Sequence, residues 1–207
     1  CAVAVSGVAQ GSDPLVSFEV VSASEVSLLP AMGFRRVQVN ATARNGVDTS
    51  NLPQKASGLL ACIESAPDLE WIIQANDETK SLWTTLSEMN QKRAAPCSNI
   101  SMLYDASCGT GELAAQYSSP QPLGVAPSGC GYAGGIGPAN VIQVLQNVRS
   151  AVGNAPTWID MESSLRGVHD GRDVFDLQAC QNCAVAVSGV AQGSDPLVSF
   201  EVVSASE

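Results

Sequence analysis

The sequence predicts an α/β fold in which short strands alternate with helices around a parallel sheet. Apolar stretches rich in β-branched and aromatic residues are separated by segments of helical period, the signature of βα units. The balance of 45% hydrophobic and 14% charged residues is that of a globular chain. A third observation sets how often the unit occurs. Residues Cys1–Glu25 recur unchanged as Cys183–Glu207. Identity of that length is expected when a window is cut across a periodic object, a joining artefact being the alternative, and the period then covers residues 1–182. The organisation that follows is a junction segment over 1–25, one domain over 26–182, and a second junction copy over 183–207 that starts the next repeat.

Taken in order, Ala2–Ser6 and Leu15–Ser22 are the first strands, and Leu15, Val16, Phe18, Val20 and Val21 are strong strand formers. Arg36–Asn40 is the third strand. Leu52–Ser65 is a helix carrying Leu59, Leu60 and Ile63 on one face. After the strand Trp71–Asn76, Asp77 is placed as the N-cap of a second helix, with a stripe of Leu82, Leu86 and Met89. Ile100–Asp105 is a strand, and Tyr117–Pro127, with its prolines and serines, reads as a surface loop. Cys130–Ile136 precedes a third helix that has Pro138 in its first turn and Val141, Ile142, Leu145 and Val148 as its apolar positions. Thr157–Glu162 is the last strand of the repeat, and Ala184–Ser188 is expected to be the first strand of the next.

An eight-stranded βα barrel needs about 200 residues or more. One repeat is slightly short of that. The expectation is a (βα)8 TIM-barrel-like domain, contracted or incomplete at its N-terminal end, in a tandem or polymeric array. The duplicated segment would then either bridge neighbouring barrels by supplying a strand to an open edge, or act as a linker strand between independent domains.

Net charge is −10, and the only basic pairs are Arg35-Arg36 and Lys92-Arg93, which argues against nucleic acid as a partner. No apolar run reaches the roughly 18 residues that span a membrane. Seven cysteines become six per repeat once Cys1 and Cys183 are counted as one position. Cys62, Cys97, Cys108, Cys130, Cys180 and Cys183 are therefore disulfide candidates, with Cys108 and Cys130 suited to stapling a loop-rich stretch. Cys180 and Cys183 form a CxxC, but with His169 as the sole histidine a zinc site lacks ligands, and no metal or cofactor is expected. N-glycosylation sequons at Asn40 and Asn99 point, with the cysteines, to an extracellular or cell-surface setting.

Four stretches in order carry a further pattern: Val37–Asn40, Leu103-Tyr-Asp-Ala-Ser-Cys-Gly-Thr-Gly111, Gly131-Tyr-Ala-Gly-Gly-Ile-Gly-Pro-Ala-Asn140, and Trp158-Ile-Asp-Met-Glu-Ser-Ser164. Over about residues 34–180 the chain resembles the phosphoribosylanthranilate isomerase-like family of βα barrels. The resemblance makes Val37–Asn40 the fourth barrel strand and Thr157–Glu162 the eighth, which leaves the front of the barrel contracted or rearranged. It implies a catalytic acid at Asp105 and a phosphate cradle at Gly134 and Gly135. The family's thiolate base is replaced: the matching position reads Ser6-Gly7, or Ser188-Gly189, and no activating His or Lys is near in sequence. Asp160 and Glu162 would add repulsion toward a phosphate.

Three functions follow. The first is a non-catalytic subunit of an extracellular glycoprotein filament, partnered head to tail by identical copies and carrying N-linked glycans. A second is a secreted isomerase-like enzyme or sugar-phosphate-binding barrel. A third is a carbohydrate-binding module using Trp71, Trp83 or Trp158, although the helix stripe around Trp83 and the strand around Trp158 favour core packing for those two.

Overall fold

The computed structural model describes residues 2–6, 15–19, 26, 28–105, 107, 112–119, 129–153 and 155–192. It is an α/β structure built on a seven-stranded sheet. The strands are β1 (Ala2–Ser6), β2 (Leu15–Glu19), β3 (Arg36–Val39), β4 (Glu70–Ala75), β5 (Ile100–Asp105), β6 (Cys130–Ala133) and β7 (Thr157–Ile159). Their order is β2-β1-β3-β4-β5-β6-β7. Strands β3 to β7 are parallel, while β1 runs antiparallel to both β2 and β3. The front of the sheet is thus a hairpin rather than a series of βα units.

Helices α1 (Leu52–Ser65), α2 (Lys80–Gln91) and α3 (Val141–Val152) connect or follow the parallel strands. A hairpin of β8 (Arg166–His169) and β9 (Arg172–Phe175) follows, then α4 (Leu177–Gln192).

Consecutive parallel strands that are also neighbours, joined by right-handed crossovers, put every connecting helix on one face of the sheet. The register bears this out. Val37, Trp71, Ile73, Met102, Cys130 and Tyr132 alternate onto the helix side and are buried with Leu59, Ile63, Leu86, Val144 and Val148. The other face carries a polar chain: Arg36 Nε donates to Glu70 Oε2 (2.7 Å), and Ser101 Oγ donates to Glu70 Oε1 (2.6 Å). Ile72, Leu103 and Ala133 sit further up this face, packed against Trp158.

This inner face is concave. The Arg36 guanidinium of β3 lies 4.6 Å from the ring centroid of Trp158 on β7. Strands in a sheet are about 4.8 Å apart, so three intervening strands must curl to bring that pair together. Gly131 permits it, because a Cβ there would run into the Trp158 indole and come within 2.8 Å of Leu103. Among the described residues no strand pairs with the outer side of β2 or of β7.

Three local expectations are corrected. Helix α2 starts at Lys80 rather than after an Asp77 cap, because the Thr79 amide donates to Asn76 Oδ1 (2.9 Å) and its hydroxyl to the Gln74 carbonyl (2.8 Å), adding a turn. Helix α3 starts at Val141, leaving Pro138 in the preceding turn, where the Gly137 amide donates to Asn140 Oδ1 (2.9 Å). Ala184–Ser188, expected as a strand, is helical within α4. Ala-Val-Ala-Val reads as a strand by alternation, yet Cys183 and Val187 fall four apart and bury one helix face beside Val144 and Val148. The same five residues are a strand at Ala2–Ser6.

Candidate functional site

The sequence-predicted acid and glycines meet at the C-terminal ends of the parallel strands. Asp105 closes β5 and is buried. Its Oδ2 accepts from Gln74 Nε2 (2.8 Å), and its Oδ1 accepts from both the amide (3.1 Å) and the hydroxyl (2.6 Å) of Ser107. Both oxygens are therefore engaged in fixing the strand end. Gly134 adopts φ +98°, and a Cβ there would lie 3.2 Å from Asp105 Oδ1 and 3.1 Å from the Glu112 carbonyl. Close approach accounts for this glycine. Gly135, with φ +62°, offers its carbonyl to Asn140 Nδ2 (2.8 Å). The amides of Gly137 and Val141 are likewise used within the loop, by Asn140 Oδ1 and the Gly137 carbonyl.

The mouth beside Asp105 is acidic. Asp160 follows β7, its amide donating to the Tyr132 carbonyl (3.0 Å). Although its side chain reaches solvent, crowding by protein atoms raises its pKa, and Glu162 and Asp105 raise it further against the opposing pull of Arg36. Such a mouth disfavours a phosphate group. The two serines that the resemblance sets against the family's base lie on different elements: Ser6 ends β1, and Ser188 lies on α4.

Asn40 follows β3 at the same end of the sheet, its Oδ1 accepting from Gln38 Nε2 (2.6 Å). Asn99 precedes β5 at the opposite end. Its Nδ2, the atom a glycan would occupy, donates to the carbonyls of Leu69 (2.9 Å) and Ala66 (3.2 Å) beyond α1. A glycan on Asn99 would take one of the two N–H groups that make that cap. Cys62, Cys97, Cys130, Cys180 and Cys183 carry free thiols with no bridge between them, while Cys1 and Cys108 lie outside the described residues. Burial raises the pKa of Cys62, Cys130 and Cys183, so these thiols are poorly nucleophilic. His169 is exposed on β8. Among the described residues no three His, Cys, Asp or Glu side chains come together as metal ligands, and no helix is long and apolar enough to cross a membrane.

A cavity opens on the helix side of the same strand ends, and sequence reasoning missed it. Its volume is about 330 Å³. Trp83 of α2, Tyr104 of β5, Tyr132 of β6 and Tyr117 wall it, with Asn76 and Asp77 between β4 and α2 and Lys80 at the start of α2. Tyr117 starts the stretch Tyr117–Pro127 expected as a surface loop, of which residues 117–119 are described, and these are tied to the sheet: Tyr132 Oη donates to the Ser118 carbonyl (2.5 Å) and Tyr104 Oη to that of Ser119 (3.2 Å). Tyr132 stacks on Tyr104 at 5.5 Å and meets Tyr117 edge-on at 5.7 Å. Burial pushes the Tyr117 and Tyr132 phenols up, so both stay protonated. Trp71 is fully buried core, and Trp158 belongs to the concave face, so of the three tryptophans Trp83 alone lines this cavity.

Among the described residues, three of these hold buried polar atoms with no hydrogen-bond partner: Asn76 Nδ2, Trp83 Nε1 and Tyr117 Oη. The Asn76 orientation is secured by its Oδ1, which accepts from the Thr79 amide. Each such atom costs about 1–3 kcal/mol. Periodicity could not have grouped them, since they come from a strand end, a helix and a loop.

No family model matches the chain, and no curated protein matches it.

Proposed function

We propose that the chain is the repeating, non-catalytic subunit of an extracellular glycoprotein filament, in which barrel-like domains join head to tail through the junction segment. The observation that carries this reading is a curved sheet with two different edges that are unpaired among the described residues, β2 within the first junction copy and β7 at the far end. An unpaired edge is a template for another strand. When the β7 edge of one copy meets the β2 edge of the next, the contact is heterologous, and heterologous contacts that do not close propagate as filaments.

The second junction copy adds a helix-to-strand choice. As the end of one repeat, Ala184–Ser188 packs as helix on α3; as the start of the next, the same residues form β1. Exposed Val168, Leu177 and Val185 on β8 and α4 supply apolar surface for neighbouring copies. The glycan is expected on Asn40, because the Asn99 amide is committed to its cap.

An isomerase-like enzyme or sugar-phosphate-binding barrel is the second reading, favoured by the meeting of Asp105 with Gly134 at the strand ends. The locked carboxylate, the serines in place of the base and the acidic mouth weigh against it. Electron microscopy of native material separates the two. Filaments with an axial repeat of one domain support the structural reading; dispersed monomers with isomerase turnover overturn it. Mass spectrometry of the peptide covering Asn40 tests the glycan.

A further inference from the structure

We infer that Cys180 and Cys183 form a redox-active dithiol, a site of reversible disulfide formation whose oxidation opens α4 where the second junction copy begins. The inference does not depend on the filament reading. It rests on the spacing of two thiols, on what holds α4 in place, and on the two conformations of one segment.

Both cysteines carry free thiols and fall three residues apart within α4. That spacing sets them on one side of the helix, one turn apart. Cys180 is half-buried and Cys183 only 2% exposed, and both pack into the cluster that holds Val144 and Val148 of α3. Burial, and then the charge of Cys180, push the Cys183 thiol up, as expected of neighbouring sulfurs. The two are close, yet a bridge does not fit a regular turn. Helical neighbours keep their Cβ atoms about 5–6 Å apart, whereas a disulfide needs about 3.5–4.5 Å. The backbone must move to close that gap. It cannot do so ahead of the helix, because Asp176 already caps it: Asp176 Oδ1 accepts from the amides of Gln178 (2.9 Å) and Ala179 (3.1 Å), which places both cysteines inside the helical turns.

Little opposes the movement. Residues 177–192 include no charged side chain, so no ion pair braces α4. The side-chain bond from Gln178 Nε2 to Asn182 Oδ1 (3.0 Å) spans the same turn and would be disturbed with it. Val185 and Val187 are β-branched and favour extended backbone. Ala184–Ser188 is held helical by the burial of Cys183 and Val187 beside α3, and the same five residues are a strand at Ala2–Ser6. Drawing Cys183 toward Cys180 removes one of those two anchors.

The oxidant is a small-molecule disulfide such as glutathione disulfide. Cys180, the more accessible thiol, attacks as thiolate; the glutathione S–S bond breaks and one glutathione thiolate leaves. Cys183 then attacks Cys180 Sγ as thiolate and expels the second glutathione. Two cysteine thiols are oxidised to one disulfide, one disulfide is reduced to two thiols, and the two cysteine protons end on the departing glutathiones.

The test equilibrates the full chain with glutathione disulfide or with dithiothreitol, then applies thiol alkylation, peptide mass mapping and amide hydrogen exchange. The tryptic peptide that follows Arg172 contains Cys180 and Cys183 and no other cysteine. After oxidation it should be lighter by two hydrogens and unalkylated. Amides of residues 184–188 should then exchange roughly 10-fold faster or more, the factor that losing one buried side-chain contact brings. Dithiothreitol should restore both readings. Cys180→Ser, which keeps the Cys183 anchor, should exchange at the reduced rate under both conditions. A glutathione adduct without a bridge, pairing of either cysteine with Cys130, thiols left unoxidised, a Cys180–Cys183 bridge with unchanged exchange at 184–188, or faster exchange in oxidised Cys180→Ser would each overturn the inference.

Discussion

Asp160 shows how one side chain records its surroundings. Its folded pKa is raised by the crowding around it, then by Glu162 and Asp105. A raised carboxylate pKa means the folded state holds the proton more tightly than the unfolded one, so stability falls as pH rises from near 3.8 through the folded pKa. Asp160→Asn should therefore be more stable than the parent at neutral pH, and the gain should vanish in acid below that window. Urea denaturation at a series of pH values reads both. Gly131 is a steric counterpart. Its missing Cβ makes room for Trp158 and Leu103, so Gly131→Ala should cost about 1–3 kcal/mol by overpacking, seen as a lower denaturation midpoint. Neither effect was legible in the sequence, where Gly131 stood only as part of a family-like motif. Both depend on which strand lies beside β6.

At the scale of elements, strand positions were legible, because all seven sheet strands read as apolar runs: β1 and β5 keep their expected bounds, β3, β6 and β7 are shortened, β4 shifts by one residue, and β2 is described over Leu15–Glu19. Helix starts were less so. Hydrogen bonds within two residues of the expected starts, from the Thr79 amide to Asn76 Oδ1 and from the Gly137 amide to Asn140 Oδ1, add turns that a periodicity reading does not weigh. Asn99 was read as a sequon, while its fold role is to tie β5 to the end of α1 through the Leu69 and Ala66 carbonyls. Asn99→Ala should lower stability by about 1–2 kcal/mol, the worth of a part-buried bond set left unmade. Glycopeptide mapping should find Asn99 unmodified in the folded protein. The largest departure is α4. Alternation predicts a strand in both junction copies, and only the surface each copy packs against separates them: β3 for the first, α3 for the second.

For the whole molecule, the open edges at β2 and β7 make a prediction about assembly. A peptide spanning residues 12–22 should cap growing ends and shorten filaments, and a scrambled peptide should not; fibre length by microscopy measures it. The sequence by itself determined the α/β class, the order of strands along the chain and the duplication of its ends, because alternation, helical period and identity are local properties. It also singled out Asp105 and Gly134, which do meet. Only the tertiary structure decided that β1 pairs antiparallel, that the sheet curls Trp158 onto Arg36, and that one junction copy is strand and the other helix. It alone gathered Asn76, Trp83 and Tyr117 around one cavity. The physical reason is the same throughout. Burial and hydrogen bonding between residues far apart in the chain outweigh local preferences of a fraction of a kcal/mol per residue.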